Sequence, residues 1–178
     1  MPWLAFLAVP AAAAVWFYVV FSELKAQRKN LDAAEACMDM YFEERRRLVP
    51  ILLSTARNAD PDCAGAARAV IRARNAAAVA EQGDGRAAEN ALETELERFL
   101  IFAEKNGRLR ADPGFSDAAY RIRAVNDRIG EQRFAYNRAA EKYNAEIRKF
   151  PSSIVANVLH FEKRAVYYYQ RVKTEEEL

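Results

Sequence analysis

The sequence has little of what most catalytic sites and disulfide frameworks are built from. It contains one histidine, His160, and two cysteines, Cys37 and Cys63, which lack CxxC spacing. A di-iron helical bundle needs Glu-x-x-His pairs on facing helices, and one histidine cannot supply them. Two cysteines make no disulfide framework, and the sequence holds no glycine-rich phosphate loop. We therefore predict no enzyme, no cofactor and no metal site.

Glycine and proline are also scarce, with six of each in 178 residues. No segment shows the alternation of polar and apolar residues that indicates a half-buried strand. The abundant residues are those of long helices, so we predict an all-α protein. The net charge of +2 argues neither for nor against nucleic acid. Acidic residues are interleaved with most of the arginines, however, so we expect a charged bundle exterior and no nucleic-acid binding.

Residues 1–22 carry no charged side chain and are strongly apolar. About twenty residues of helix span ~30 Å, the hydrocarbon thickness of a bilayer. A cleaved signal peptide is the alternative, but the segment lacks a basic n-region and is too long for a typical h-region. Lys25, Arg28 and Lys29 follow it, whereas no Lys or Arg precedes it. We predict a single-pass inner-membrane anchor over 1–22, with the N-terminus outside and the C-terminal domain in the cytoplasm.

An apolar stripe continues beyond the anchor, so the anchor is expected to run on as a soluble helix to about Asn58. Pro50 should kink this helix without stopping it. Asp60 and Pro61 then restart the chain as N-cap and first helical residue. An alanine-rich helix follows over about 61–81, and a third helix over about 86–105.

The fourth predicted helix is long and runs from Ser116 to Phe150, where Pro151 ends it. Its apolar seam repeats every seven residues and consists of Ile122, Ile129, Tyr136, Tyr143 and Phe150. With the three helices before it, this helix predicts an antiparallel four-helix bundle over 23–151, with coiled-coil-like seams. Because the outgoing and returning helices have similar lengths, about 55 and 52 Å, Phe150 and Pro151 should end near the bilayer surface.

Residues 152–171 predict a C-terminal amphipathic helix, and 172–178 form an acidic tail. The helix has basic residues on its polar face and aromatic residues on its apolar face, which suits a helix lying in the membrane interface. A lid packed across the open end of the bundle is the alternative.

Two sets of polar residues fall on the apolar seams. Arg45 lies in the seam of the first helix, and a buried arginine needs a partner; Asp127 and Glu146 are the candidates. The second set is Tyr136, Asn137, Tyr143 and Asn144. These four either form a row that binds a peptide or a lipid headgroup, or hydrogen-bond across helices to fix their register, and we favour the second interpretation.

An ordered set of motifs carries a family resemblance. It comprises Arg45, Leu48, Val49, Pro50, Ala88-Glu89-Asn90, the Leu109–Phe115 loop, Arg128-Ile129, Tyr136-Asn137, Tyr143-Asn144, Phe150-Pro151, Ala156, Phe161 and the Tyr167–Tyr169 run. On these residues the chain resembles the LemA family and departs from its pattern at Arg47, Ile51 and Asp127. The resemblance implies a helical bundle behind one N-terminal span in a bacterial membrane, and it implies no established reaction.

We therefore expect a membrane-anchored, non-enzymatic scaffold or adaptor whose terminal helix contacts lipid or a membrane-protein partner. One alternative is an accessory subunit of a membrane metalloprotease or of a membrane-remodelling complex, as the resemblance implies for some relatives. A second alternative is an enzyme with an unrecognised site. A homo-oligomer also stays open, because apolar seams on amphipathic helices serve bundles and oligomers alike.

Overall fold

The computed structural model describes residues 3–80 and 85–168, with side chains described from Val9 onward. The helices are α1 (Trp3–Ala59), α2 (Ala64–Val79), α3 (Gly85–Lys105), α4 (Gly107–Ala111), α5 (Pro113–Glu146) and α6 (Ser152–Val158), with a 3-10 turn at Pro61–Cys63. No strand occurs within the described ranges. The predicted all-α class is confirmed, as is the order of a long, two shorter and another long helix.

The first helix, α1, runs without interruption for 57 residues. Five side chains in it are at most 1% exposed and recur every seven residues: Leu24, Leu31, Met38, Arg45 and Leu52. Pro50 is exposed on α1 and does not end it. The helix stops before Asp60, which takes an extended backbone and accepts a hydrogen bond from Asp62 N at 3.3 Å. This is the N-cap predicted for the restart of the chain, although a 3-10 turn precedes α2.

The second long helix, α5, begins and ends earlier than the sequence predicts. It starts at Pro113, before the predicted start at Ser116, because Asp112 Oδ1 accepts the N–H of Phe115 at 2.7 Å and caps the helix. It ends at Glu146, and turns follow. Phe150 is consequently 77% exposed, so the prediction that it continues the buried seam is wrong.

A short helix, α4, lies in a segment for which we predicted a loop. Asn106 ends α3 as expected, but its side chain also caps α4 by accepting the N–H groups of Arg108 and Leu109 at 2.9 and 3.2 Å. Leu109 is fully buried. The buried side chain of Leu109 and the cap formed by Asn106 therefore stabilise a helix of five residues.

The predicted amphipathic helix over 152–171 is wrong in its length, because α6 ends at Val158. His160 takes the left-handed backbone region, with φ 53°, and the N–H of Phe161 then bonds to Ala156 O at 2.9 Å. This geometry reverses the chain after a helix. Residues 161–168 are non-helical. Residues 169–171 and the acidic tail over 172–178 lie outside the described residues.

The described chain divides into two compact units. The first unit contains α1 up to Cys37 together with Gln132–Val166, and the second contains Met38–Glu131 together with Tyr167 and Tyr168. Buried residues of the first unit include Leu24, Leu31, Tyr136, Ala140, Tyr143, Val155 and Ala156. Buried residues of the second unit include Leu52, Leu92, Leu96, Phe99, Leu109, Ile122 and Ile129.

Within the second unit, α1 and α5 are antiparallel, as the bundle prediction requires. Arg45 of α1 bonds to Asn126 of α5. Further along α1, Thr55 lies beside Gly114 near the start of α5. A Cβ atom added to Gly114 would be 3.8 Å from Thr55 Cγ2. As residue numbers rise along α1, the contacted residue numbers therefore fall along α5.

Candidate functional site

Two side chains of α5 bind the backbone of the chain's own C-terminal segment in the first unit. Asn144 Nδ2 donates to Arg164 O at 2.8 Å, and Arg164 N–H donates to Asn144 Oδ1 at 2.9 Å. The Tyr136 hydroxyl lies 3.2 Å from Ala165 O, to which it donates. We call residues 161–166 the tail segment, and Tyr136 with Asn144 the tail clamp. Each of these three hydrogen bonds joins the clamp to a backbone atom of the tail segment, so none of them depends on the identity of a side chain in that segment.

The tyrosines of this row are placed by the seven-residue repeat of α5. Tyr136 and Tyr143 are at most 1% exposed, and Asn137 is half-buried beside Tyr136. Burial raises the pKa of the Tyr143 hydroxyl above 10.0; the charge of Glu162 adds to this effect, and the charge of Arg28 opposes it. The hydrogen-bond partners of the clamp are therefore backbone atoms of the tail segment, whereas we expected bonds across helices.

Side chains of the tail segment contact α1. Arg164 forms ion pairs with Asp32 and, at 3.9 Å, with Glu35. The ring of Phe161 lies edge-on to the ring of Phe21, with the centroids 6.4 Å apart. Since Phe21 is at the end of the uncharged run of α1, the tail segment returns to the point where that run ends.

In the second unit, the next two residues of the chain contact α1 and α3. Tyr167 is 6% exposed, and its ring centroid lies 6.5 Å from that of Phe42. The guanidinium of Arg86 lies over the same ring at 4.0 Å, which is a cation–π geometry. Asn90 Nδ2 donates to Tyr168 O at 2.9 Å. Here again an asparagine side chain holds the backbone of the C-terminal segment.

A buried ion-pair network surrounds Arg45 in the second unit. Arg45 Nη2 bonds to Glu89 Oε2 at 2.7 Å and to Glu89 O at 3.0 Å. Its Nη1 bonds to Glu93 Oε2 and to Asn126 Oδ1, both at 3.2 Å. Glu89 also pairs with Arg46. The side chains of Arg45 and Glu89 are 0% and 4% exposed, so this network lies in the interior.

The burial of Arg45 was predictable, but its partners were assigned wrongly. Asp127 is exposed, because one residue along α5 is a rotation of about 100° and Asn126 takes the inward position. Glu146 instead accepts a hydrogen bond from Ser152 at 2.6 Å. The expectation that charged residues lie on the bundle exterior is wrong at Glu89, which is 3% exposed. The signal was available: Glu89 precedes Leu92 and Leu96 at the helical spacing of their buried face.

The LemA family model matches residues 34–177. The match covers most of the chain and includes Arg45, the tail clamp and the tail segment. This chain belongs to the LemA family. The resemblance deduced from the motifs is thereby confirmed. No curated protein matches the chain.

The structure also places the other residues singled out in this LemA protein. Arg128 is exposed on α5, and Pro151 is half-buried directly before α6. Pro50 lies on the wall of a cavity of about 270 Å³ between α1 and α2. Cys37 is half-buried and Cys63 buried, and both thiols are free.

The sequence predicts Asp60 only as an N-cap. In the structure of this LemA protein, its carboxylate also bonds to Asn106 and to Arg108. Its carboxylate accepts from Asn106 Nδ2 at 2.6 Å and from Arg108 Nη1 at 3.3 Å. These bonds, first of all that of Asn106, lower the pKa of Asp60 below 3.8, against a smaller effect of burial. Burial and the nearby Asp60 charge raise the pKa of the Cys63 thiol above 9.0, so this thiol is kept protonated.

Proposed function

We propose that this LemA protein is a membrane-anchored, non-enzymatic helical scaffold or adaptor. The observation that supports the proposal most is the continuity of α1, which joins an uncharged run directly to the packed part of the chain. α1 is long and apolar enough to cross a membrane, and only 6% of its most apolar window is buried. A core helix of a soluble protein would bury that window, so its exposure favours contact with lipid.

The proposed orientation places the N-terminus outside and the C-terminal domain in the cytoplasm of a bacterial cell. Lys25, Arg28 and Lys29 support it, since cytoplasmic flanks carry the excess of basic residues. Cys37 lies two turns beyond them and is half-buried. A membrane-impermeant thiol reagent should label Cys37 in inverted vesicles and not in intact spheroplasts. Labelling in spheroplasts alone would reverse the proposed orientation.

We also propose that α6 contacts the bilayer surface. The Phe21–Phe161 ring contact supports this, because it brings the segment that follows α6 to the end of the uncharged run. On α6 and just after it, Ile154, Val158 and Leu159 are 48%, 60% and 39% exposed. Apolar side chains exposed at this point suit the boundary between acyl chains and headgroups.

Anchoring is tested by fractionation of cells that produce the full chain. The protein should stay in the membrane pellet after an alkaline carbonate wash, and its intact mass should include residues 1–22. Release into the supernatant, or a mature N-terminus beyond Ser22, would favour a cleaved signal sequence and sink the proposal.

The adaptor role is tested by purification in a mild detergent. A scaffold that engages partners transiently should be recovered without a stoichiometric partner. A membrane protein that co-purifies at a fixed ratio would instead favour an accessory subunit of a larger complex.

A further inference from the structure

A basic cavity lies in the first unit, beside the tail segment. It measures about 340 Å³ and is lined by Arg28, His160, Glu162, Lys163 and Arg164. Arg28 comes from α1, and the other four residues follow α6. After the reversal of the chain at His160, the hydrogen bonds of Asn144 hold Arg164 against α5, and the ion pairs with Asp32 and Glu35 hold it against α1.

Three cationic side chains and one carboxylate line the cavity. Arg164 is neutralised by its ion pairs with Asp32 and Glu35 on α1. Arg28 and Lys163 are exposed, and neither forms an ion pair with any residue that the structure describes. Glu162 supplies one opposing carboxylate, and His160 adds a ring N–H donor. Two cationic side chains that form no ion pair among the described residues and one ring N–H donor therefore face one space.

The cavity lies close to the proposed bilayer surface. Phe21, Lys25 and Arg28 follow one face of α1 at helical spacing, and the Lys25 ammonium lies 5.8 Å from the Phe21 ring centroid. Arg28 is about 10 Å further along the axis than Phe21, and the headgroup layer is roughly 5–8 Å thick. Helical side chains lean towards the N-terminus, here towards the bilayer, and long basic ones extend to the interface. The Arg28 guanidinium thus reaches the phosphates.

We propose that this cavity binds the phosphate group of an anionic membrane lipid, with Arg28 and Lys163 as its cationic ligands. The guanidinium of Arg28 matches two phosphate oxygens, and the Lys163 ammonium acts as a point charge. The inference rests on the proposed membrane anchoring, since it places Phe21 at the edge of the hydrocarbon. The group that binds is a phosphate, and it belongs to the headgroup of a membrane lipid.

The test uses the full chain in a nonionic detergent, with bound lipid counted by native mass spectrometry. The wild-type chain should bind phosphatidylglycerol more tightly than phosphatidylcholine. The variant R28A/K163A should bind phosphatidylglycerol about 30-fold more weakly, because each basic residue near an anionic headgroup contributes about fivefold in affinity. The charge-preserving variant R28K/K163R should retain most of the affinity.

The matched control is R68A/R72A, which removes two exposed arginines from α2 in the second unit. It should bind phosphatidylglycerol as the wild type does. Equal losses in both double variants, or no loss in R28A/K163A, would overturn the site. Displacement of the lipid by inorganic phosphate at equal concentration would assign the cavity to a soluble anion and overturn the lipid source. Anchoring is scored separately by carbonate extraction, so the two proposals fail independently.

Discussion

Arg45 is the centre of a buried network of ion pairs and hydrogen bonds in the second unit. It is 0% exposed and bonds to two glutamates and one asparagine. Removing one partner from a buried ion pair leaves an uncompensated charge, which costs far more than losing an exposed pair. The stability of the buried glutamates on α3 therefore depends on Arg45 of α1.

We expect Arg45→Ala to lower the free energy of unfolding by about 3–5 kcal/mol, since Glu89 and Glu93 lose their buried partner. Arg47→Ala is the matched control: Arg47 is 75% exposed and pairs with Glu43 on the same helix, so its loss should cost less than ~1 kcal/mol. Both are measured by denaturant unfolding of the full chain in detergent, followed by circular dichroism. Equal stability of Arg45→Ala and wild type would show that the network does not stabilise the fold.

Asp60 gives the stability a defined acid dependence. Its folded pKa lies below its usual value of 3.8, so the folded state favours the carboxylate. The stability that Asp60 contributes is fully present above pH 3.8 and is lost as the pH falls through the lowered folded value.

Asp60→Asn should therefore be less stable than the wild type at pH 7, and the difference should shrink below pH 3.8. Thermal unfolding measured between neutral and acidic pH tests this. Asp117→Asn, at an exposed position of α5, should follow the wild-type profile. A difference between Asp60→Asn and wild type that stays constant with pH would contradict the assignment.

Among the elements, the long helices could be predicted and the C-terminal segment could not. The seven-residue repeats of α1 and α5 specify a helix and its buried face together, so both helices were found, and of the residues in the predicted seam of α5 Phe150 is the exposed one. Boundaries were missed where a side chain decides them: Asp112 starts α5 early, and Asn106 caps α4. Several neighbouring residues could form each cap equally well, so the sequence does not decide at which residue the helix begins.

The tail segment was missed for a different reason. Its apolar residues fit a helical wheel, which predicted a helix to residue 171. The left-handed conformation of His160 and the backbone bonds from Asn144 are tertiary effects, and local periodicity does not contain them. Tyr136 and Asn144 were singled out from the sequence, but the tail segment to which they bond was not.

Asn144→Ala should release the tail segment. It removes two hydrogen bonds to the backbone of Arg164, each worth about 1 kcal/mol. Protection of the Arg164 amide against hydrogen exchange should fall by roughly tenfold or more on that basis. Asn30→Ala, at an exposed position of α1, should leave the exchange rate unchanged. Unchanged protection in Asn144→Ala would show that the clamp does not hold the segment.

At the scale of the whole molecule, one helix, α1, contains both the uncharged run proposed as the membrane anchor and residues of both compact units. Membership of the LemA family and an apolar N-terminal helix could both be anticipated from the sequence, because each depends on extended patterns and not on single contacts. The partners of Arg45 and the basic cavity could be identified only from the three-dimensional structure, since their residues lie far apart in the sequence. The account depends on the tail segment reaching the bilayer surface beside α1.

Depth-dependent quenching by brominated lipids tests that dependence most directly. The full chain would carry Phe161→Trp in a background of Trp3→Phe and Trp16→Phe and be reconstituted into bilayers. We expect quenching at position 161 to be strongest with bromine near the headgroups. In the control Tyr18→Trp, which places the indole in the uncharged run, quenching should be strongest with deeper bromine. Absence of quenching at position 161, while position 18 is quenched, would contradict the account.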